Sequence, residues 1–142
     1  MSRTIIDSVD IQGNGVAKID GKVTFVENAI AGEFVECDIS KKKPSFNNAK
    51  VSTLIRSSPH RVIPKCEYFG RCGGCSMQHI DVGTQVSAKQ RVLEDNFARI
   101  GKIQLGTIYA PIYGKQWAYR RRARLSARFV RKKNDVLVGF RE

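Results

Sequence analysis

Residues 16–26, "VAKIDGKVTFV", decide how the first part of the chain folds. Two runs rich in valine, isoleucine, threonine and phenylalanine flank Asp20-Gly21. Asp-Gly readily takes the left-handed backbone that a two-residue type I′ turn requires, so the stretch reads as a β-hairpin. Upstream, "TIIDSVDI" (residues 4–11) is a strand candidate that ends at the turn signal "QGNG". Downstream, "FVECDIS" (34–40) and "AKVSTLI" (49–55) are two more, separated by "KKKPSFNN". In "FVECDIS", Val35, Cys37 and Ile39 alternate with Phe34, Glu36 and Asp38. Cys37 therefore sits on the core face, where a thiol behaves as a small hydrophobe.

Five strands in this length fit a small barrel of the OB type, closed so that no strand edge is exposed. The expected fold is mainly β with one helix (α+β). Residues 1–57 form the barrel. Residues 58–65, within "RSSPHRVIPK", form a linker containing two prolines, and His60 lies in this exposed loop. Residues 66–142 form a partial central α/β domain.

The chain has 142 residues with 42% hydrophobic side chains, enough for a packed core and against wholesale disorder. No stretch approaches the roughly 20 apolar residues of a membrane span, and the start lacks the apolar run of a secretory signal. A cytoplasmic monomer with no membrane association is expected. In that compartment clustered cysteines serve metal or redox chemistry rather than disulfides. The net charge is +12 and uneven. Residues 1–38 carry three basic and seven acidic side chains; residues 39–66 carry seven basic and none acidic; residues 115–142 carry ten and two. Such blocks are the footprint of a polyanion partner, most simply RNA or DNA.

"DVGTQVSAKQRVLEDNFARIG" predicts a helix with Asp81 as N-cap and Gly101 as its stop. Val82, Val86, Leu93, Phe97 and Ile100 share one face. The loop "QLGTIYAPIYGKQ" follows, then "AYRRRARLSARF", whose period of two predicts a strand. Arg120, Arg122, Arg124 and Arg128 point one way; Tyr119, Ala123, Leu125, Ala127 and Phe129 point the other. "KKND" turns the chain and "VLVGF" returns as the second strand of a hairpin. Guanidinium groups stacked on one face repel unless anions neutralise them, and the nearby sequence supplies few acids. Phosphate contact is expected there, with Lys41, Lys42 and Lys43 as a second anchor.

"CEYFGRCGGCSMQH" places Cys66, Cys72 and Cys75 within ten residues as C-x5-C-x2-C. Thiolates at this spacing suit soft metals, and Gly73-Gly74 lets backbone N–H groups approach the sulfurs. A fourth ligand is needed. His79 would complete a Cys3His zinc site within the chain.

"CEYFGRCGGCSMQHI", the helix ending "FARIG", and "WAYRRRARLSARF" with "VGFR" resemble the N-terminal part of the bacterial 23S rRNA uracil-5-methyltransferases. The resemblance covers nearly the whole chain; its specific part is the cysteine motif. It implies that the barrel is a TRAM domain that binds RNA and that the substrate is 23S ribosomal RNA. It also implies that Cys66, Cys72 and Cys75 hold a [4Fe-4S] cluster, with the fourth ligand a cysteine after the "GFR" strand. The S-adenosylmethionine domain and the nucleophilic cysteine of such enzymes lie further on, and nothing here matches them. No residue of this chain is therefore expected to be catalytic or to bind S-adenosylmethionine, and the chain alone is expected to be inactive, as a truncated or fragmentary product. The alternative is a stand-alone RNA-binding module with a Cys3His zinc site. Radical methylthiotransferases also carry TRAM domains, but their expected motif is C-x3-C-x2-C.

Overall fold

A computed structural model describes residues 1–140. Six strands share the first sheet: β1 (Ser2–Ile5), β2 (Ser8–Val9), β3 (Gly15–Ile19), β4 (Lys22–Glu27), β5 (Phe34–Lys42) and β6 (Phe46–Arg56). Their order is β1-β5-β6-β4-β3-β2, antiparallel throughout except for the parallel pair β4–β6. The deciding hairpin forms as read. Ile19 faces Lys22, and Asp20 (φ 51°) and Gly21 (φ 75°) both take the left-handed backbone.

The single first strand expected from the sequence is broken in two. β1 pairs with β5 at one edge of the sheet and β2 with β3 at the other. Between them Ile6 N–H donates to the Glu33 carbonyl and Asp7 N–H to the Val16 carbonyl. The ladder is thus not closed; one bent segment spans both edges. The bend inserts Ile6 into the core, where Gly15 makes room for it. A Cβ on Gly15 would lie 2.8 Å from Ile6 Cγ2 and 2.9 Å from Ala29 Cβ. Irregular register along β5–β6, including shifts at Glu36/Cys37 and Ile39/Lys41, curves the long strands.

The barrel core is Ile6, Ala17, Ile19, Val26, Ala29, Val35, Cys37 and Ala49. Cys37 is fully buried, on the face its alternation predicts, and burial followed by the neighbouring Asp38 charge pushes its thiol pKa up. A thiol held protonated in apolar surroundings is neither nucleophile nor ligand. A second apolar cluster, Val9, Ile30, Met77 and Ile80, joins the barrel to the chain after the cysteines. The two segments also meet at Gly13, where an added Cβ would come within 2.5 Å of the Ser76 carbonyl oxygen.

The stretch read as a linker is partly built into this junction. Ser58 is buried, Val62 N–H donates to the His79 carbonyl, and Asp81 N–H donates to the His60 carbonyl. Arg61 reaches the fully buried Glu33 through Nε (2.6 Å) and Nη2 (2.8 Å), and also caps the Asn28 carbonyl. Burial alone would raise the Glu33 carboxyl pKa. Hydrogen bonds from Arg61 and the Ile30 N–H, with the Arg61 charge, outweigh burial and hold the pKa below the ordinary carboxylate value.

Helix α1 (Val82–Asp95) starts as predicted: Asp81 accepts from Thr84 N–H at 3.0 Å and from the Thr84 hydroxyl at 2.6 Å. Gln85 donates to the Met77 and Ile80 carbonyls and ties the first turn to the junction. Beyond that the predicted apolar face is largely unpacked, with Leu93 52% and Ile100 79% exposed. The α-helix passes into a π-helical turn (Asn96–Gly101), and Lys102 rather than Gly101 takes the left-handed closing position. A second sheet pairs β7 (Ser126–Val130) with β8 (Asp135–Gly139), turning at 131–134.

Removing one partner of a buried ion pair strands the other charge. Arg61→Ala is expected to lower unfolding free energy by about 3 kcal/mol in urea titrations. Replacing both Arg61 and Glu33 with methionine is expected to recover much of that deficit.

Candidate nucleic-acid interface and cysteine loop

Lys41 and Lys42 end β5, and Lys43 begins the turn into β6; all three are exposed. The Lys22 ammonium donates to the Lys43 carbonyl and fixes that turn. Lys43 Nζ lies 4.6 Å from the Phe46 ring centroid, and Phe46 meets Phe25 edge to face at 5.4 Å. Lys43 therefore stands beside an aromatic pair, a neighbourhood that strand alternation alone does not reveal.

The arginine strand requires correction. Arg120, Arg122 and Arg124 are exposed but lie in no strand, and of the four only Arg128 is in β7. The β7–β8 ladder begins where Ser126 pairs with Gly139, and Arg120, Arg122 and Arg124 lie before it. A period of two describes side-chain direction, but a strand also needs a ladder partner. The arginines therefore form an exposed basic segment running into the hairpin, not one flat face.

Cys66 and Cys72 are half-buried and Cys75 is exposed. The loop is turned tightly by Phe69 N–H to the Cys66 carbonyl and by Cys72 N–H to the Tyr68 carbonyl. Gly74 N–H donates to Cys72 Sγ at 3.4 Å, the backbone-to-sulfur approach that the glycine pair allows. Phe140, just after β8, packs on this turn, its ring 3.0 Å from where a Gly74 Cβ would be. As a donor set the three thiols fit a soft metal or an iron–sulfur cluster. They do not converge as they stand: among the described residues no group of three or more His, Cys, Asp or Glu is placed to hold a metal ion.

His79 does not join the thiols. It is 2% exposed, packed against the Phe69 ring at 5.3 Å, and neither ring nitrogen makes a hydrogen bond. The Ala29 carbonyl lies beside the ring without closing one. Burial, then the nearby Arg61 charge, push its pKa down from 6.5 to about 4, against a smaller opposing pull from Glu33. The Cys3His arrangement is therefore not formed. The local sequence mixes Met77 and Ile80 with Gln78 and Asp81 and gives no clear signal that His79 is a core residue.

No helix among the described residues is long and apolar enough to cross a membrane. Residues 3–51, which make up most of the barrel, match the TRAM domain family. Across its whole length the chain is similar to a particular group of RNA-modifying enzymes. It is 51% identical over 142 residues to the 23S rRNA (uracil(1939)-C(5))-methyltransferase RlmD of Aromatoleum aromaticum, all of this chain and 33% of that protein. It is 53% identical over 135 residues to RlmD of Thiobacillus denitrificans (95% of this chain, 31% of that protein), and 47% identical over 142 residues to RlmD of an Azoarcus species (100% and 33%). The chain spans about a third of the length of these relatives.

A histidine neutral when folded and charged when unfolded costs stability as pH falls. Above pH 6.5 both states are neutral there and the stability is intact. Between 6.5 and about 4 only the unfolded state takes up the proton, so stability falls across that window by about 3 kcal/mol. Glu33, with its depressed pKa, adds a further decrease at lower pH as its carboxylate is protonated. Urea unfolding at a series of pH values should show this, and His79→Leu should flatten the curve between pH 6.5 and 4 while leaving the Glu33 decrease below it.

Proposed function

We propose that this chain is the RNA-recognition portion of a cytoplasmic 23S rRNA uracil-C5-methyltransferase. The observation that carries the reading is sequence identity of about half, sustained from end to end, to relatives named for that activity. The TRAM match over residues 3–51 and the two basic blocks support it. Uridine methylation from S-adenosylmethionine then belongs to the two thirds of the relatives that this chain does not span, and this chain supplies grip on the RNA.

Lys41, Lys42 and Lys43 on the barrel, and Arg120, Arg122, Arg124 and Arg128 on the basic segment and β7, are assigned to phosphate. Guanidinium forks on an exposed segment can follow an irregular backbone, which suits looped or single-stranded RNA better than a duplex. Each phosphate neutralised releases counterions, so affinity falls with salt in proportion to the number of phosphates held. Binding of a looped ribosomal RNA oligonucleotide should weaken steeply with salt. Arg122→Ala with Arg124→Ala should lower the log–log slope by up to about 0.7 for each phosphate no longer neutralised. An unchanged affinity and slope would remove the arginines from the interface.

Cys66, Cys72 and Cys75 are assigned to three corners of an iron–sulfur cluster that braces the loop. The approach of Gly74 N–H to Cys72 Sγ supports this. So does the packing of Phe140 on Gly74, which in a longer chain would set the residues after β8 beside the thiols and leave the fourth ligand to them. With three thiolates alone the cluster should be labile and destroyed in air. Anaerobic reconstitution of this chain should give a brown, oxygen-sensitive species that Cys72→Ser abolishes and Cys37→Ala does not. A colourless protein with one tightly held zinc would rule the cluster out.

A further inference from the structure

The pairing of the strands puts an aromatic patch on the outside of the TRAM barrel. Along β4, Thr24 and Val26 are buried, so Val23 and Phe25 face outward. Along β6, Asn47 and Ala49 are buried, so Phe46 and Asn48 face outward. The register lines up Val16, Phe25 and Asn48 in one cross-strand row and Lys18, Val23 and Phe46 in the next. The two rings are half-buried and meet at 5.4 Å and 86°.

Cations surround them. Lys18 ends the second row, Lys22 starts β4, Lys41 pairs with Asn48, and Lys43 lies over Phe46. Among the described residues of this sheet, Asp20, in the hairpin turn, is the one carboxylate at this end. Glu27 and Asp38 stand at the other end, each paired across the sheet with Lys50. Adjacent outward aromatic rings within a rim of lysines match the chemistry of a single nucleic-acid strand, which offers flat π faces on one side and phosphates on the other. A side-chain ammonium over a ring holds the place of a weak, exchangeable ligand. A duplex would present only its backbone, since its bases are already stacked.

We propose that Phe25 and Phe46 form a stacking platform for unpaired nucleobases of RNA, with Lys18, Lys41 and Lys43 taking the flanking phosphates. The proposal rests on the RNA-binding reading above and assigns its barrel contact. A phenyl ring reads no base edge, so the platform accepts any base.

The test separates stacking from charge. Binding of decauridylate is compared with binding of a ribose-phosphate decamer of the same charge that lacks bases, at one salt concentration. The intact chain should prefer the base-bearing strand by about tenfold. Phe25→Leu with Phe46→Leu keeps apolar volume and should bring the ratio to about one while the salt slope stays. Phe46→Trp, a larger π face, should keep or raise the ratio. A ratio near one for the intact chain, with both strands bound, overturns the platform and leaves the RNA-binding reading standing. A tenfold ratio that survives in the double leucine variant places stacking elsewhere and also overturns it. Absence of binding to either strand defeats the RNA reading and the platform with it. Should the leucine pair fail to fold, the ring-proton resonances of Phe25 and Phe46 in the intact chain decide. They should move upfield on adding decauridylate and stay in place with the baseless strand; no movement overturns the proposal.

Discussion

Glu33 is a fully buried carboxylate that accepts from the Ile30 and Ser58 N–H groups and from two nitrogens of Arg61. A charge in that position is tolerable only when its oxygens are satisfied and a cation stands opposite. Meeting that condition fixes three parts of the chain together: the loop between β4 and β5, the exit from β6, and the segment that pairs with residues 79–81. The cysteine loop lies between the two halves of that pairing, so its placement on the barrel follows from the same carboxylate. Arg61 also stands near enough to His79 to help keep it neutral. The junction is therefore a polar arrangement inside an apolar one, with Met77 and Ile80 packing around it.

Four of the seven acidic residues in the first part of the chain are engaged within the fold. Asp10 accepts from Gln12 and Asn14 and holds the turn before β3, Glu36 pairs with Arg3, and Asp38 lies near the N-terminal amine. Glu33 is inside. Among the described residues no acid is ion-paired with the lysines at 41–43.

Features governed by nearest neighbours in sequence were legible: the Asp-Gly hairpin, the buried alternation around Cys37, the Asp81 cap and, one residue later than it falls, the turn at "KKND". Features governed by distant partners were not. The first strand breaks because Ile6 fills a space opened by Gly15 and because its two halves find different neighbours. The linker docks because Arg61 meets a carboxylate 28 residues away. The arginine run has the right period, but strand length is set by what lies across the ladder. In β4 neither face carries a charge between Val23 and Val26, Val23 and Phe25 on one and Thr24 and Val26 on the other, so alternation alone does not say which goes in. At the cysteine site, donor type was readable from spacing, whereas the burial of His79 against the barrel depended on the junction.

The bent first segment has a bearing on how the chain folds as it is made. β1 pairs with β5 and β2 with β3, so β2 can dock as soon as β3 is made, but β1 only after residues 34–42 have appeared. Glu33 in turn waits for Arg61 before its charge is matched. A nascent chain thus passes through an interval in which the Glu33 carboxylate is unmatched, and the interval ends with the residues just after β6. The barrel becomes a finished surface at about the moment the cysteine segment is ready to settle on it, so synthesis order and assembly order coincide.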